Sequence, residues 1–391
     1  MSKLQSFFEG FAQADEKLDV RIGNESNVIE KVPVTHTGSY ALDDALSAGG
    51  YPDGRLIQIY GPPGSGKSLL AMLAMKEAQQ RDLEANQLFI DAEQTFDASW
   101  AKTLGLDTSR IVVIQGELAI LGRRCFEMLL GVPKEDQKTH AYNGKKKDGL
   151  LDKIVNKELN FNIIVLDSLG ALIPPGEDIS AVGKNNISLM ARFLSTTLKK
   201  LALEVNKAKI PMIIINHVRS SMDMYGPDHT YSGGNSYTHF LSANIYVEGV
   251  NRKDAIIFNE KEEKVGSLVK AHVEKSKFGP PRKCEFKVHY GIGIIEKHKE
   301  IGQLAIDYNI VERPNNVMYS YNGESWKGAD NFFSALEANP VMQGEFLEKV
   351  EKERSSKWDR ERENQLKVKE AEPTEEDSKS KKTKKKDKTN E

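Results

Sequence analysis

Short apolar runs recur through the middle of the chain, at Leu56–Tyr60, Gln87–Ile90, Ile111–Ile114, Ile163–Leu166, Met212–Ile215 and Ala243–Val247, and amphipathic stretches separate the earlier ones. Strands of this length alternating with helices predict a mostly parallel sheet with helices on both faces. Two later runs, Leu268–Val273 and Cys284–Tyr290, follow each other across the turn signal Gly279-Pro280-Pro281. They predict an antiparallel extension at one edge. The expected fold class is therefore α/β from Gly54 to about Tyr290, with a smaller mixed unit beyond it.

Outside that core the pattern changes. Leu4, Phe7, Phe8 and Phe11 fall on one face of a short helix, suited either to the chain's own core or to a neighbouring subunit. Val28–Val34 reads as a strand whose Pro33 suits an edge position. From Val132 to Asn160 a polar stretch with Lys145, Lys146 and Lys147 breaks the rhythm and is expected to be a surface loop or insertion. Its lysine triplet could meet a phosphate backbone or simply be solvated. The segment Ser356–Glu391 is too charged to bury a core and is expected to be disordered.

Composition narrows the classes. The chain has 391 residues, a formal net charge of −2 and two cysteines. There is no global basic field, so any nucleic-acid contact must be local. Cys125 and Cys284 offer neither a disulfide framework nor zinc spacing. No apolar stretch approaches the roughly 20 residues of a membrane span, and no signal peptide is expected, which leaves a cytoplasmic, membrane-free setting as the expectation.

The candidate chemistry gathers at strand ends. After Leu56–Tyr60 come Gly61-Pro62-Pro63-Gly64-Ser65-Gly66-Lys67-Ser68 and then helix formers from Leu69 onward. This is a phosphate loop in its required setting, between a strand and a helix N-terminus. Its backbone amides and the helix dipole would cradle a polyphosphate, Lys67 would reach the outer phosphates, and Ser68 would ligate Mg2+. Asp167 ends the strand Asn162–Ser168, where a carboxylate can hold the same ion. Past the strand at Gln87–Ile90, Glu93 could activate a water in line with the outermost phosphate, or else merely cap a helix; Asp91 could be structural. Asn216 and His217 end another strand facing the same place. The glycine-rich stretch Ser220–Asn235 reads as a ligand-binding loop or as disorder.

Taken in order, these residues resemble the RecA family of recombinases, and in particular its UvsX-like bacteriophage branch. The resemblance runs from about residue 38 to about 345. It is carried by Gly38–Gly50, the phosphate loop, Phe89–Glu93, Ile164–Ser168, Ile215–Arg219, Gly233–Asn235, Glu274–Lys277 and Tyr319–Glu324. It implies a RecA-type ATPase core at 38–298, an N-terminal oligomerisation helix and strand at 1–37, a small C-terminal α+β unit at 299–355 and a charged tail at 356–391. Carried over by position, Glu93 is the catalytic glutamate, Asp97 and Trp100 contact adenine, and Phe89 and Ile90 are core. Lys275 and Lys277 are a pair reaching a neighbour's γ-phosphate. Ile187, Arg192 and Lys199 belong to the first DNA-binding loop and its helix; Arg219, Met222, Tyr225, Gly233 and Gly234 belong to the second. His217 stands where bacterial RecA has glutamine.

The function so implied is an ATP- and Mg2+-dependent recombinase. It would form filaments of its own copies on single-stranded DNA, pair that DNA with homologous duplex, and work with mediator and single-strand-binding proteins. A ring helicase or motor on the same core, and a non-catalytic filament regulator, are the alternatives. The regulator would be expected to lack Glu93 or the lysine pair.

Overall fold

The computed structural model describes residues 32–135, 142–176, 187–220, 229–231 and 236–354. The N-terminal phenylalanine stripe, most of the Val28–Val34 run and the charged tail lie outside them.

Nine strands make the backbone of the central sheet: β1 (Leu56–Gly61), β2 (Asn86–Asp91), β3 (Ile111–Ile114), β4 (Phe161–Asp167), β5 (Met212–Ser220), β6 (Ala243–Gly249), β7 (Lys264–Ser276), β8 (Arg282–His289) and β9 (Gly293–Ile295). Their spatial order is β9-β8-β7-β6-β1-β5-β4-β2-β3. Neighbours from β6 to β3 pair in parallel, and β6 to β9 pair antiparallel. All six predicted parallel runs are strands, and the antiparallel extension sits at the predicted edge. The fold is α/β, a mostly parallel sheet flanked by helices.

Side-chain alternation explains why the sheet is buried on both faces. Ile57, Ile59, Ile163, Val165, Ile213 and Ile215 pack with the helix Lys67–Arg81, whose Leu69, Leu70, Ala71, Met72 and Ala74 are all buried. The intervening residues Leu56, Ile164, Leu166, Met212 and Ile214 face the other way, against helices Gly122–Leu130 and Ile187–Ala208. Leu194, Leu198, Leu201 and Val205 make the inner stripe of the latter helix. Burial of this kind on alternate residues pins the register, because a one-residue slip would exchange the two faces.

Two expectations change. The 132–160 segment is not simply an irregular loop: Val132–Glu135 pairs with Tyr142–Lys147, and the helix Leu150–Val155 buries Leu151. Within it Lys146 is bound by the Asp152 carboxylate and the Leu130 carbonyl, which reduces the lysine triplet as a free phosphate-binding patch. At the described end of the Val28–Val34 run, Val34 pairs with Pro52 of its own chain, and Thr35 just beyond it with Tyr51. Beyond β9, the helix Lys297–Asp307, the hairpin Met318–Tyr321/Glu324–Lys327 and the helix Ala329–Glu337 enclose a separate small core around Phe332, Leu336 and Phe346.

Candidate active site

Parallel strands deliver their carboxyl ends to one rim of the sheet, which is where ligands of open α/β sheets bind. Gly61 of β1 stands level with His217 of β5, and Asp91 of β2 level with Asp167 of β4. A Cβ at Gly61 would lie 2.0 Å from the Val247 carbonyl oxygen, so only glycine lets the loop leave between β1 and β6. Gly66, at φ 94°, turns the loop into the helix Lys67–Arg81.

Inside that loop the Lys67 ammonium donates to the Gly61 carbonyl at 3.0 Å and the Pro62 carbonyl at 2.7 Å. Burial lowers its pKa, against the opposing pull of Asp167 and Glu93. The Ser68 hydroxyl donates to Asp167 Oδ2 at 2.8 Å. Burial pushes the Asp167 carboxyl up to about 6, with the Ser68 bond working the other way. A buried carboxyl held up by desolvation is one that a cation would return to its charged form. Ser65 Oγ is buried in the same loop without a hydrogen-bond partner among the described residues. A cationic lysine, an unpartnered hydroxyl and a hydroxyl–carboxylate pair of hard oxygens form a donor set that fits a polyphosphate with Mg2+.

Glu93 sits across from them. Its Oε1 accepts a hydrogen bond from Ser168 Oγ and lies 2.6 Å from His217 Nε2. The histidine bond, more than any other influence, keeps its pKa below the usual carboxylate range. An ionised Glu93 is acceptor-only, which fixes the proton of that contact on Nε2. Asp91 has the structural role: its carboxylate accepts from the Thr95 amide at 3.1 Å, the Phe96 amide at 2.9 Å and Gln115 Nε2 at 2.7 Å, bracing the turn that carries Glu93.

A cavity of about 870 Å3 joins the phosphate loop, Leu69, Glu93 and His217 to Trp100, Tyr290, Glu248 and Lys264. Trp100 Nε1 donates to the Tyr290 carbonyl at 2.6 Å, which holds the indole plane at the cavity wall. Asp97 does not line it. Its carboxylate caps the helix Ala98–Thr103, accepting from the Ser99 amide at 2.7 Å and the Trp100 amide at 3.1 Å. Ser168, Tyr290, Glu248 and Lys264 were not singled out from sequence. Ser168 carried a signal, standing next to Asp167; the other three reach the cavity through distant pairing in β6, β7 and the turn after β8.

The remaining sequence candidates lie elsewhere. Lys275, near the end of β7, pairs across the sheet with Asn244 of β6, itself level with Gln58 of β1. The Lys277 amide donates to the Ser242 carbonyl, below the start of β6. At roughly 3.3 Å per residue, Lys275 is ~10 Å and Lys277 ~16 Å down the sheet from the level of Gly61. Neither joins its own phosphate loop. Arg192 and Lys199 are exposed and seven residues apart on the outer side of the helix Ile187–Ala208. The side chains of Ile187 and Arg219, and Met222, Tyr225, Gly233 and Gly234 altogether, lie outside the described residues. His229–Tyr231 pairs with Val218–Ser220, so part of the stretch read as a loop is a hairpin.

The sheet, the loop and the carboxylates at its rim define a phosphate-loop α/β protein. Within that class the assignment is specific: the RecA N-terminal domain family model matches residues 16–132 and 129–295, and the chain belongs to the RecA family. It is 31% identical over 325 residues to the DNA repair protein recA homolog 3, mitochondrial, of Arabidopsis thaliana, covering 82% of this chain and 67% of that one. It is 34% identical over 335 residues to Protein RecA of Streptococcus sanguinis, covering 85% and 79%, and 34% identical over 298 residues to Protein RecA of Desulforapulum autotrophicum, covering 76% of each. The family supports a RecA-type role in DNA recombination and repair. Among the described residues no helix is long and apolar enough to cross a membrane.

Proposed function

We propose that the protein is a DNA-dependent ATPase that forms head-to-tail filaments on single-stranded DNA and exchanges strands with a homologous duplex. The observation that carries this reading is a division of the site. Lys67, Ser68, Asp167 and Glu93 converge on one rim of the sheet, whereas Lys275 and Lys277 stand well down the sheet from it. A head-to-tail interface would set those two ammonium groups against the outer phosphate of the next protomer. Each protomer then supplies half of a composite site, and assembly is tight only while the triphosphate is intact.

In this reading the phosphate loop, Leu69 and Trp100 bind ATP, with Asp97 holding the helix that presents the indole. Ser68 and Asp167 would hold Mg2+, which would supply positive charge to offset that of the phosphates. Glu93, oriented by Ser168 and His217, takes the proton of the attacking water. His217 senses whether the outer phosphate is present. Arg192 and Lys199 contact the DNA backbone, with Ile187, Arg219, Met222, Tyr225, Gly233 and Gly234 completing the DNA-facing loops; phosphate charge gives affinity without sequence preference. Mediator and single-strand-binding proteins are the further partners, and the cytoplasm is the place of action. Histidine rather than glutamine at 217 favours the UvsX-like branch.

The test is ATP hydrolysis with and without single-stranded DNA, followed by joint-molecule formation with homologous duplex. DNA-stimulated turnover together with joint molecules is the expected result. Turnover indifferent to DNA, with no joint molecules, contradicts it, and directional unwinding of a forked duplex would favour a motor instead.

A further inference from the structure

A buried polar chain crosses the middle of the sheet between the two half-sites. Beside the Glu93–His217 pair, Asn216 Nδ2 donates to Tyr237 Oη at 2.9 Å, and Tyr237 Oη donates to Gln58 Oε1 at 2.6 Å. Gln58 Nε2 donates to Asn244 Oδ1 at 2.9 Å, and Asn244 Nδ2 donates to Glu274 Oε2 at 3.1 Å. Tyr60 Oη donates to the same Glu274 oxygen at 2.5 Å. Gln58, Asn216 and Tyr237 have no exposed surface. Polar groups buried at that depth are costly unless fully paired, so the chain specifies one arrangement.

Its far end sets Lys275. The β6–β7 pairing shifts register between Asn244 and Ile245: Asn244 opposes Lys275, Ile245 opposes Val273, and Glu274 is the extra residue. A bulge of this kind re-aims the neighbouring side chain, and Asn244 and Tyr60 hold this one through the Glu274 carboxylate. Lys275 Nζ in turn donates to the Thr238 carbonyl at 2.7 Å, one residue along from Tyr237. Tyr237 therefore holds the sensing strand with its hydroxyl, while the peptide next to it holds the lysine.

We propose that Tyr237 is a positioning residue that ties the state of a protomer's own Glu93–His217 pair to the setting of the Lys275 it offers its neighbour. This rests on the reading that Lys275 completes the neighbour's site. Motion of β5 when the outer phosphate arrives or leaves is passed through Asn216 and Tyr237 to the Thr238 carbonyl, which grips or frees the ammonium. Turnover in one protomer thereby alters the next.

Tyr237→Phe removes only the hydroxyl. Binding of a fluorescent ATP analogue to dispersed protein should be unchanged. On poly(dT), kcat should fall about five- to tenfold, the KM for ATP should change less than about twofold, and the Hill coefficient for ATP should drop to 1. Wild-type kcat and Hill coefficient would overturn the inference. Should Tyr237→Phe not fold, Glu274→Gln at the exposed end carries the same expectation, and wild-type behaviour there overturns it equally. Lys275→Ala is the reference. If it is inactive while Tyr237→Phe and Glu274→Gln behave as wild type, only the relay fails; if it is fully active on DNA, the shared site fails and the relay with it.

Discussion

Glu93 shows how residue chemistry was partly readable and partly not. Its place after an apolar strand offered a base or a cap; the fold lays His217 and Ser168 against Oε1, contacts between three different strands' ends that support the proposed role as base. Glu93→Gln should retain ATP binding, lose about 100-fold or more in turnover, and leave filaments that persist in ATP, read by hydrolysis assay and electron microscopy. Glu300 gave no such sequence signal. It is buried where the small C-terminal unit meets the core, with Oε2 accepting from Ser39 Oγ at 2.7 Å and the Ala41 amide at 2.9 Å while Oε1 has no partner among the described residues. Burial raises its pKa to about 7. A raised carboxyl binds more protons folded than unfolded, so this group's contribution to stability declines as pH rises from the unfolded value near 4.5 toward 7. Glu300→Gln should therefore raise the unfolding free energy at pH 8.5 relative to wild type, on the order of 1–3 kcal/mol, with little gain at pH 5, as read by denaturant titration.

At the scale of elements, strand positions were legible because each apolar run is short and the earlier ones are separated by helical segments. All eight runs are strands, and turn residues marked the edge extension. The pairing of Val132–Glu135 with Tyr142–Lys147 was hidden because both segments are mostly polar in sequence and offer no apolar run. Asp97 illustrates the competition between a local and a functional role, since its carboxylate is already engaged at the helix N-terminus. Asp97→Ala should destabilise the helix Ala98–Thr103 by about 1 kcal/mol. It should weaken ATP binding through displacement of Trp100, and Asp97→Ser, another capping residue, should restore most of that binding. Persistent weak binding in Asp97→Ser would instead give the carboxylate a direct part in nucleotide recognition. Calorimetric titration separates these results.

For the whole molecule, the gathering of polar residues at strand ends was legible in the sequence, whereas the strand order and the distance of Lys275 and Lys277 from their own phosphate loop needed the sheet topology. Both the loop and the lysines follow strands that pair with β6, and only the antiparallel sense of β7 sends its end away from the rim. In the proposed reading, that single reversal turns a set of motif residues into two half-sites. It predicts steep dependence on assembly: dilution to dispersed protomers should abolish turnover while leaving nucleotide binding, checked by hydrolysis and binding measured side by side across protein concentration.

Complementation between two disabled proteins tests the shared site most directly. Lys67→Ala destroys the phosphate loop but keeps the lysine pair, and Lys275→Ala does the reverse. In a randomly mixed head-to-tail filament about one interface in four joins an intact loop to an intact lysine. An equal mixture on single-stranded DNA should therefore hydrolyse ATP at up to about a quarter of the wild-type rate, although neither protein does so alone. A mixture with no more activity than the sum of its two components would contradict the account.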